Sequence, residues 1–308
     1  MNAPDISRFC TADLQSAFLS DRPVDVMRFL VDGLKEGHRC ALVMLTDIID
    51  GASRPLGALM AVRDDGQYCG FVSGGCVEAA VAREALLALD QDQDRSCRFG
   101  KGSPYFDLVL PCGGGIGLTI HVLRDASPIQ KLLDAKANRL PGLLNYNSGD
   151  ATLSFQFGTA RTGWIDDIFV SAHRAEPRLL VSGQSMESRL LIALAKSTQL
   201  DVLEIDSQSI RALPIDAESA IILLQHDIEK ELPILRYALA SPAFFIGCLG
   251  SRRTHDRRTA ILLEEGYSMQ QLRRIHAPIG LFGPAREARA VAVSVLAQIF
   301  SILEARRA

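Results

Sequence analysis

Four short stretches of this 308-residue chain set glycine beside a residue able to meet an anion or a soft metal. The first is Ser73-Gly74-Gly75-Cys76. After it Val77, Val81, Ala85 and Leu89 recur every four residues, with Glu78, Arg83 and Glu84 between them, so the spacing predicts a strand-to-helix turn. Glycines let backbone N–H groups approach a ligand, and a helix start adds roughly half a positive charge aimed at the same point. Glu78 falls in the first helical turn, where it suits the macrodipole but competes with an incoming phosphate. The competing reading is a tight turn with a core cysteine, since a free thiol packs as a small hydrophobe. The second stretch, Pro111-Cys112-Gly113-Gly114-Gly115, leads into a strand over 116–123 and repeats the pairing of glycines with a cysteine.

The other two lie in the second half. Gly183 ends one strand and Asp206 the next, at about the separation at which a dinucleotide fold places its ribose-binding acid. The turn itself reads Gly183-Gln184-Ser185-Met186-Glu187-Ser188, which keeps only the first glycine of GxGxxG. Ser185 carries a Cβ where pyrophosphate needs close approach and Glu187 adds negative charge, so NAD(P) binding is disfavoured. Gly250-Ser251-Arg252-Arg253-Thr254-His255-Asp256-Arg257-Arg258 loads four arginines onto a helix start. Exposed cations there oppose the macrodipole by about 0.3 to 1 kcal/mol each, a conflict that an anion relieves. The alternative is a solvated face partly paired by Asp256. His226-Asp227 ends another strand where a crevice residue belongs, and Asp227 reads equally as a helix N-cap.

These turns need elements to hold them. The pattern predicts a helix over 12–37, a buried strand over 40–49, a hairpin of LGALMAV and YCGFVS about an Asp-Gly turn, and the helix from Val77. Residues 126–175 read as a connecting region, with a short helix at KLLDAKANRL and strands at ATLSFQFG and DDIFVSAH. From Arg178 strands alternate with helices to a last helix over 284–305, as a doubly wound parallel sheet requires. The expected fold class is α/β: an N-terminal α+β domain over 1–125, the connecting region, and a Rossmann-like domain over 176–308.

Composition narrows the functions. A net charge of -3 supplies no field to hold nucleic acid by its phosphates. No apolar run reaches the roughly 18 residues of a membrane span and no signal peptide opens the chain, so a cytoplasmic protein is expected. The seven widely spaced cysteines are expected as free thiols. No CxxC pair or paired histidine suggests structural zinc.

Together the pieces resemble the XdhC/CoxI family, accessory proteins of molybdenum hydroxylases. The likeness rests on SRPLGALMAV, DGQYCGFVSGGCVE, LPCGGGI, His226-Asp227, FIGCLGSRR, and RRIHAPIGL through VAVSVLAQI, and it covers most of the chain. Two motifs depart from the family: its Gly-Ala-Gly-His turn is Gly183-Gln184-Ser185-Met186, and its Thr-Pro-Glu-Glu is Glu287-Ala288-Arg289-Ala290. The resemblance implies a chaperone, rather than an enzyme, that binds the pyranopterin molybdenum cofactor or its cytosine dinucleotide form. It would shelter that cofactor while a cysteine desulfurase supplies sulfur, then pass it to an apo-hydroxylase, the chaperone acting as a homodimer. The implied cofactor-binding residues are Arg54, Gly57, Ser73, Gly74, Gly75, Cys76, Glu78, Cys112, Gly113, Gly114, Gly183, Asp206, His226, Asp227, Gly250, Ser251, Arg252 and Arg253. Cys76 and Cys112 are the thiols suited to molybdenum or a sulfur relay, and the arginines suit the phosphate. A crevice between the two domains, with the Cys76 turn as one wall, is the site this reading expects. The rival readings are a Rossmann nucleotide-dependent oxidoreductase or nucleotide-handling protein, and a nucleotide-free docking scaffold.

Overall fold

The computed structural model describes residues 13–103 and 113–307. The chain forms two compact units, residues 1–175 and 176–308. The first opens with strand β1 (Gln15–Ser16) and helix α1 (Pro23–Lys35). This helix begins well inside the expected 12–37 span. Pro23 presets a helical φ at the first position, and Arg22 before it is held extended. There follow β2 (Cys40–Ile49), β3 (Leu59–Arg63), β4 (Gln67–Gly70), α2 (Glu78–Gln91), β5 (Arg95–Gly100) and β6 (Gly115–Leu123). The six strands form one sheet in the order β1-β4-β3-β2-β6-β5, and the expected hairpin is the antiparallel β3–β4 pair.

Both faces of this sheet are covered, which is why β2 reads as a continuous apolar run instead of an alternating one. Ala41, Val43 and Leu45 pack with Val81, Ala85 and Leu89 of α2. Leu42 and Met44 point the other way, into a cluster with Met27 and Leu30 of α1. That second cluster also takes in residues from Ala126 onward, from α3 (Ser127–Ala137), β7 (Gly142–Asn147), β8 (Thr152–Phe157) and β10 (Ile168–His173), the last of which pairs with β9 (Gly163–Ile165). The four strands make an antiparallel sheet ordered β8-β7-β10-β9. Leu144, Tyr146 and Phe169 seat it on α1 and the first sheet, and Trp164 donates its Nε1–H to the Thr46 carbonyl at 3.1 Å. A partly buried Asp94 carboxylate meets His121 Nδ1 at 2.6 Å and accepts from Tyr146 Oη at 2.9 Å, joining β6 to β7.

The second unit contains β11 (Arg178–Ser182), α4 (Met186–Ser197), β12 (Asp201–Glu204), β13 (Ser219–Leu223), α5 (Ile228–Ala240), β14 (Phe245–Cys248), α6 (Arg252–Glu264), α7 (Met269–Leu272), β15 (Ile275–His276) and α8 (Ala288–Arg307). Its sheet is parallel throughout, in the order β12-β11-β13-β14-β15. Leu180, Ile221 and Leu223 face α5, while Leu179, Val181 and Ile222 face α4 and α8, so helices cover both sides. This is the Rossmann-like, doubly wound arrangement that the strand–helix alternation predicts. The last helix starts at residue 288 instead of 284 and corrects one further expectation. Over Ala288–Arg306 it is long and apolar enough to cross a membrane by length and composition. In this unit it is a packing helix. Ala292, Val295, Ile299 and Leu303 are buried against α4 and the sheet, and Arg306 forms a two-pronged pair with Glu218.

Candidate functional site

In the first unit the β2–β3 loop lies between the two glycine turns. On one side Gly114 is pressed against it: a Cβ there would sit 2.1 Å from the Gly51 carbonyl oxygen, so only glycine fits. On the other side Gly74 abuts Ser53, and Arg54 donates through Nε to the Ser73 carbonyl at 3.3 Å. Arg54 also pairs with Asp21 at 2.8 Å and lies over the Phe71 ring. The structure thus brings Arg54, the turn at residues 73–76, Gly113 and Gly114 around one loop. Gly57 belongs to the far end of the same loop, under Thr162, away from the cysteine turn. Cys112 lies outside the described residues.

The start of α2 is closed by its own side chain. Glu78 is 3% exposed and its carboxylate accepts from Ser73 N at 2.8 Å, Ser73 Oγ at 2.7 Å and Val77 N at 3.2 Å. Ser73 Oγ in turn accepts from Cys76 N at 3.2 Å. Glu78 thus competes with an incoming phosphate directly, because the amides of Ser73 and Val77 already hold its carboxylate. What the turn presents outward is Cys76, an exposed free thiol. Cys40, Cys69 and Cys97 have thiols pushed up to about 12 by burial, which leaves them protonated and inert. Among the described residues His38, Asp64 and Asp65 come close enough to share a metal ion. Arg63 already fills that space, with Nη2 2.7 Å from His38 Nε2 and 2.6 Å from Asp65.

In the second unit the predicted residues collect at the carboxyl ends of the parallel strands. Gly183 follows β11, Asp206 follows β12, His226 and Asp227 follow β13, and Gly250 and Ser251 follow β14. The chain steps outward in opposite directions from β11 and β13, so the crevice of a doubly wound sheet falls between Gly183 and His226. Gly183 has φ +133°, and a Cβ on it would meet the Leu224 carbonyl at 2.7 Å. The start of α4, like that of α2, carries its own acid. Hydrogen bonds from Ser185 and from its own backbone hold the Glu187 carboxyl below the usual range, and nearby His226 adds to this. Asp206 is committed too: Ser209 N, Ser209 Oγ and Gln208 N all donate to it, which lowers its carboxyl and leaves little for a ribose. Asp227 is the N-cap of α5, accepting from Glu229 N at 3.0 Å.

The start of α6 differs. Ser251 caps it by accepting from Thr254 N at 3.2 Å, its first turn holds no acid, and Arg252, Arg253 and Arg257 are exposed. The fourth arginine is a correction to the expected cationic face. Arg258 is 1% exposed and pairs with the equally buried Glu231, a residue that the sequence did not single out. Its spacing four residues before Leu262, on the face that packs inward, is the signal that identifies it as buried.

Residues 179–299 match the family described as the XdhC Rossmann domain, and residues 34–100 match the XdhC and CoxI family. The chain is 44% identical over 290 residues to the molybdenum cofactor insertion chaperone PaoD of Escherichia coli (strain K12), covering 94% of this chain and 91% of that protein. It is 26% identical over 271 residues to the uncharacterized protein YqeB of the same organism, covering 87% of this chain and 44% of YqeB. In fold it is similar to the crystal structure of a xanthine dehydrogenase from Bacillus halodurans, with a TM-score of 0.71 at 16% identity over 91% of this chain and 96% of that one. The two matched domains in their order, and the near full-length relative, place the chain in the XdhC/CoxI family.

Proposed function

We propose that this protein is a molybdenum cofactor chaperone, binding the pyranopterin as cargo and passing it to an apo molybdenum hydroxylase without a turnover of its own. The observation that carries this reading is the 44% identity, along 94% of the chain, to a protein named as a molybdenum cofactor insertion chaperone. The local chemistry supports it. The cargo has an anionic phosphate end and a soft metal–sulfur end, which call for different partners. Arg252 and Arg253 at the acid-free start of α6 suit the phosphate, with Gly250 and Ser251 shaping the turn. Cys76 suits the soft end, flanked by Arg54, Ser73, Gly74, Gly75, Gly113 and Gly114, and Cys112 is its proposed companion. Gly183 and His226 line the β11/β13 crevice, where a nucleotide portion such as a cytosine dinucleotide would lie. Sulfuration by a cysteine desulfurase while the cargo is held, a homodimeric state and a cytoplasmic location complete the proposal.

Protein purified from molybdenum-replete cells tests it. The expected result is pterin absorbance, molybdenum, and a nucleotide released on denaturation; bound NAD with no pterin would contradict the reading. Replacing Cys76 and Cys112 together by serine is expected to lower the retained molybdenum. Unchanged occupancy would remove the ligand role.

A further inference from the structure

We infer that Arg258 is a positioning residue for the Gly250-Ser251-Arg252-Arg253 turn, holding it through the Leu249 carbonyl; this rests on the anion-binding role proposed for that turn. Helical side chains lean toward the helix start, so Arg258, nearly two turns into α6, reaches back beneath the residues that precede it. Its Nε lies 2.5 Å from Glu231 Oε1, and its Nη2 donates to Glu231 Oε2 at 2.9 Å and to the Leu249 carbonyl at 3.1 Å. One guanidinium thus ties together α5, α6 and the last residue before Gly250. Its Nη1 is buried with no hydrogen-bond partner. Cys248, at the end of β14, packs on the same carboxylate, its thiol held well above the ordinary value by burial and then by Glu231.

Stability alone is a poor reason for this pair, because buried ion pairs are often matched or exceeded by apolar residues of the same volume. What the pair supplies is register. Helix α5 is seated by Leu232, Ile234, Leu235, Ala238 and Leu239, whereas α6 buries only Arg258 and Leu262. The side chain that fixes where α6 begins is therefore the charged one, and with it the direction in which Arg252 and Arg253 project.

The test replaces the pair by apolar residues, Glu231→Leu with Arg258→Met, in the full chain. Three quantities are compared with the parent: the denaturant midpoint, amide hydrogen exchange at residues 250–256, and the Kd for inorganic pyrophosphate. The expected result is a midpoint close to that of the parent, exchange faster by about tenfold or more, and pyrophosphate binding weaker by about tenfold or more. Arg258→Lys, which keeps a donor but not the fork, is expected to fall between. Parent-like exchange and affinity in the apolar pair would overturn the inference. If the parent itself does not bind pyrophosphate while exchange still rises in the variant, the positioning role stands and the anion-binding reading falls. If the double variant does not fold, Arg258→Lys decides: raised exchange supports the role and parent-like exchange overturns it.

Discussion

The starts of α2 and α6 are built from similar parts to opposite ends. Each follows a strand and a glycine turn, and each has a serine that accepts from the backbone amide three residues on, before the helix in α2 and inside its first turn in α6. In α2 the amides of Ser73 and Val77 close on Glu78, which is buried and satisfied, and the turn carries an exposed thiol. In α6 no acid enters the first turn, and two exposed arginines project from a helix end that already favours anions. Glycine content does not distinguish the two. A first-turn carboxylate does, and the start of α4, with Glu187, falls on the closed side. The difference is the basis on which we propose soft chemistry for the first unit and anion chemistry for the second.

The two helix starts are expected to differ most at the arginines. Arg252→Ala with Arg253→Ala is expected to weaken pyrophosphate binding by about 100-fold in calorimetry, as removal of two charge-assisted partners implies. A loss below about threefold would erase the distinction. Glu78→Gln acts on the other side. It removes a buried acceptor from Ser73 and Val77, so denaturant titration should show a loss of about 1–3 kcal/mol, with pyrophosphate affinity unchanged. A gain in affinity would mean that the start of α2 is an anion site held shut by Glu78.

Acid sharpens the contrast next. His173 in β10 is buried beside Ser171, and burial, followed by the charge of Lys136, pushes it down to about 3 from 6.5. Below pH 6.5 the unfolded chain binds a proton that the folded chain refuses until about pH 3. Stability is therefore unaffected by this group above pH 6.5 and falls between 6.5 and about 3, by at most about 1.4 kcal/mol per pH unit. Denaturant midpoints at pH 7 and pH 5 should show the decline, and His173→Gln should reduce it. The smallest effect is expected for Cys76→Ser, within about 0.5 kcal/mol in stability, because its side chain is exposed. Its consequence should appear only in retained molybdenum.

Much of this organisation was legible in the chain. Local periodicity suffices for β2, for α2, and for the strand–helix alternation from Arg178, because each element reports its own burial. What stayed hidden depends on distant partners. Strand β7 is a six-residue segment, LLNY flanked by a glycine and an asparagine, and its role shows only once β8 and β10 pair with it. The seat of that sheet on the first includes Trp164 and Thr46, 118 residues apart. The same holds for Arg258, read with its neighbours as a solvent-facing cation until Glu231, 27 residues away, accounts for it. Residues 73–76 could be identified as a turn, but whether Glu78 would fill it or leave it open depends on a rotamer that sequence does not specify.

The central claim, that the anionic end of the cargo belongs to the start of α6 and not to the start of α2, is tested most directly by titrating the protein with inorganic pyrophosphate while following backbone amide resonances. Saturable shifts are expected at residues 250–254, with residues 73–78 unmoved. Saturable shifts confined to residues 73–78 would contradict it.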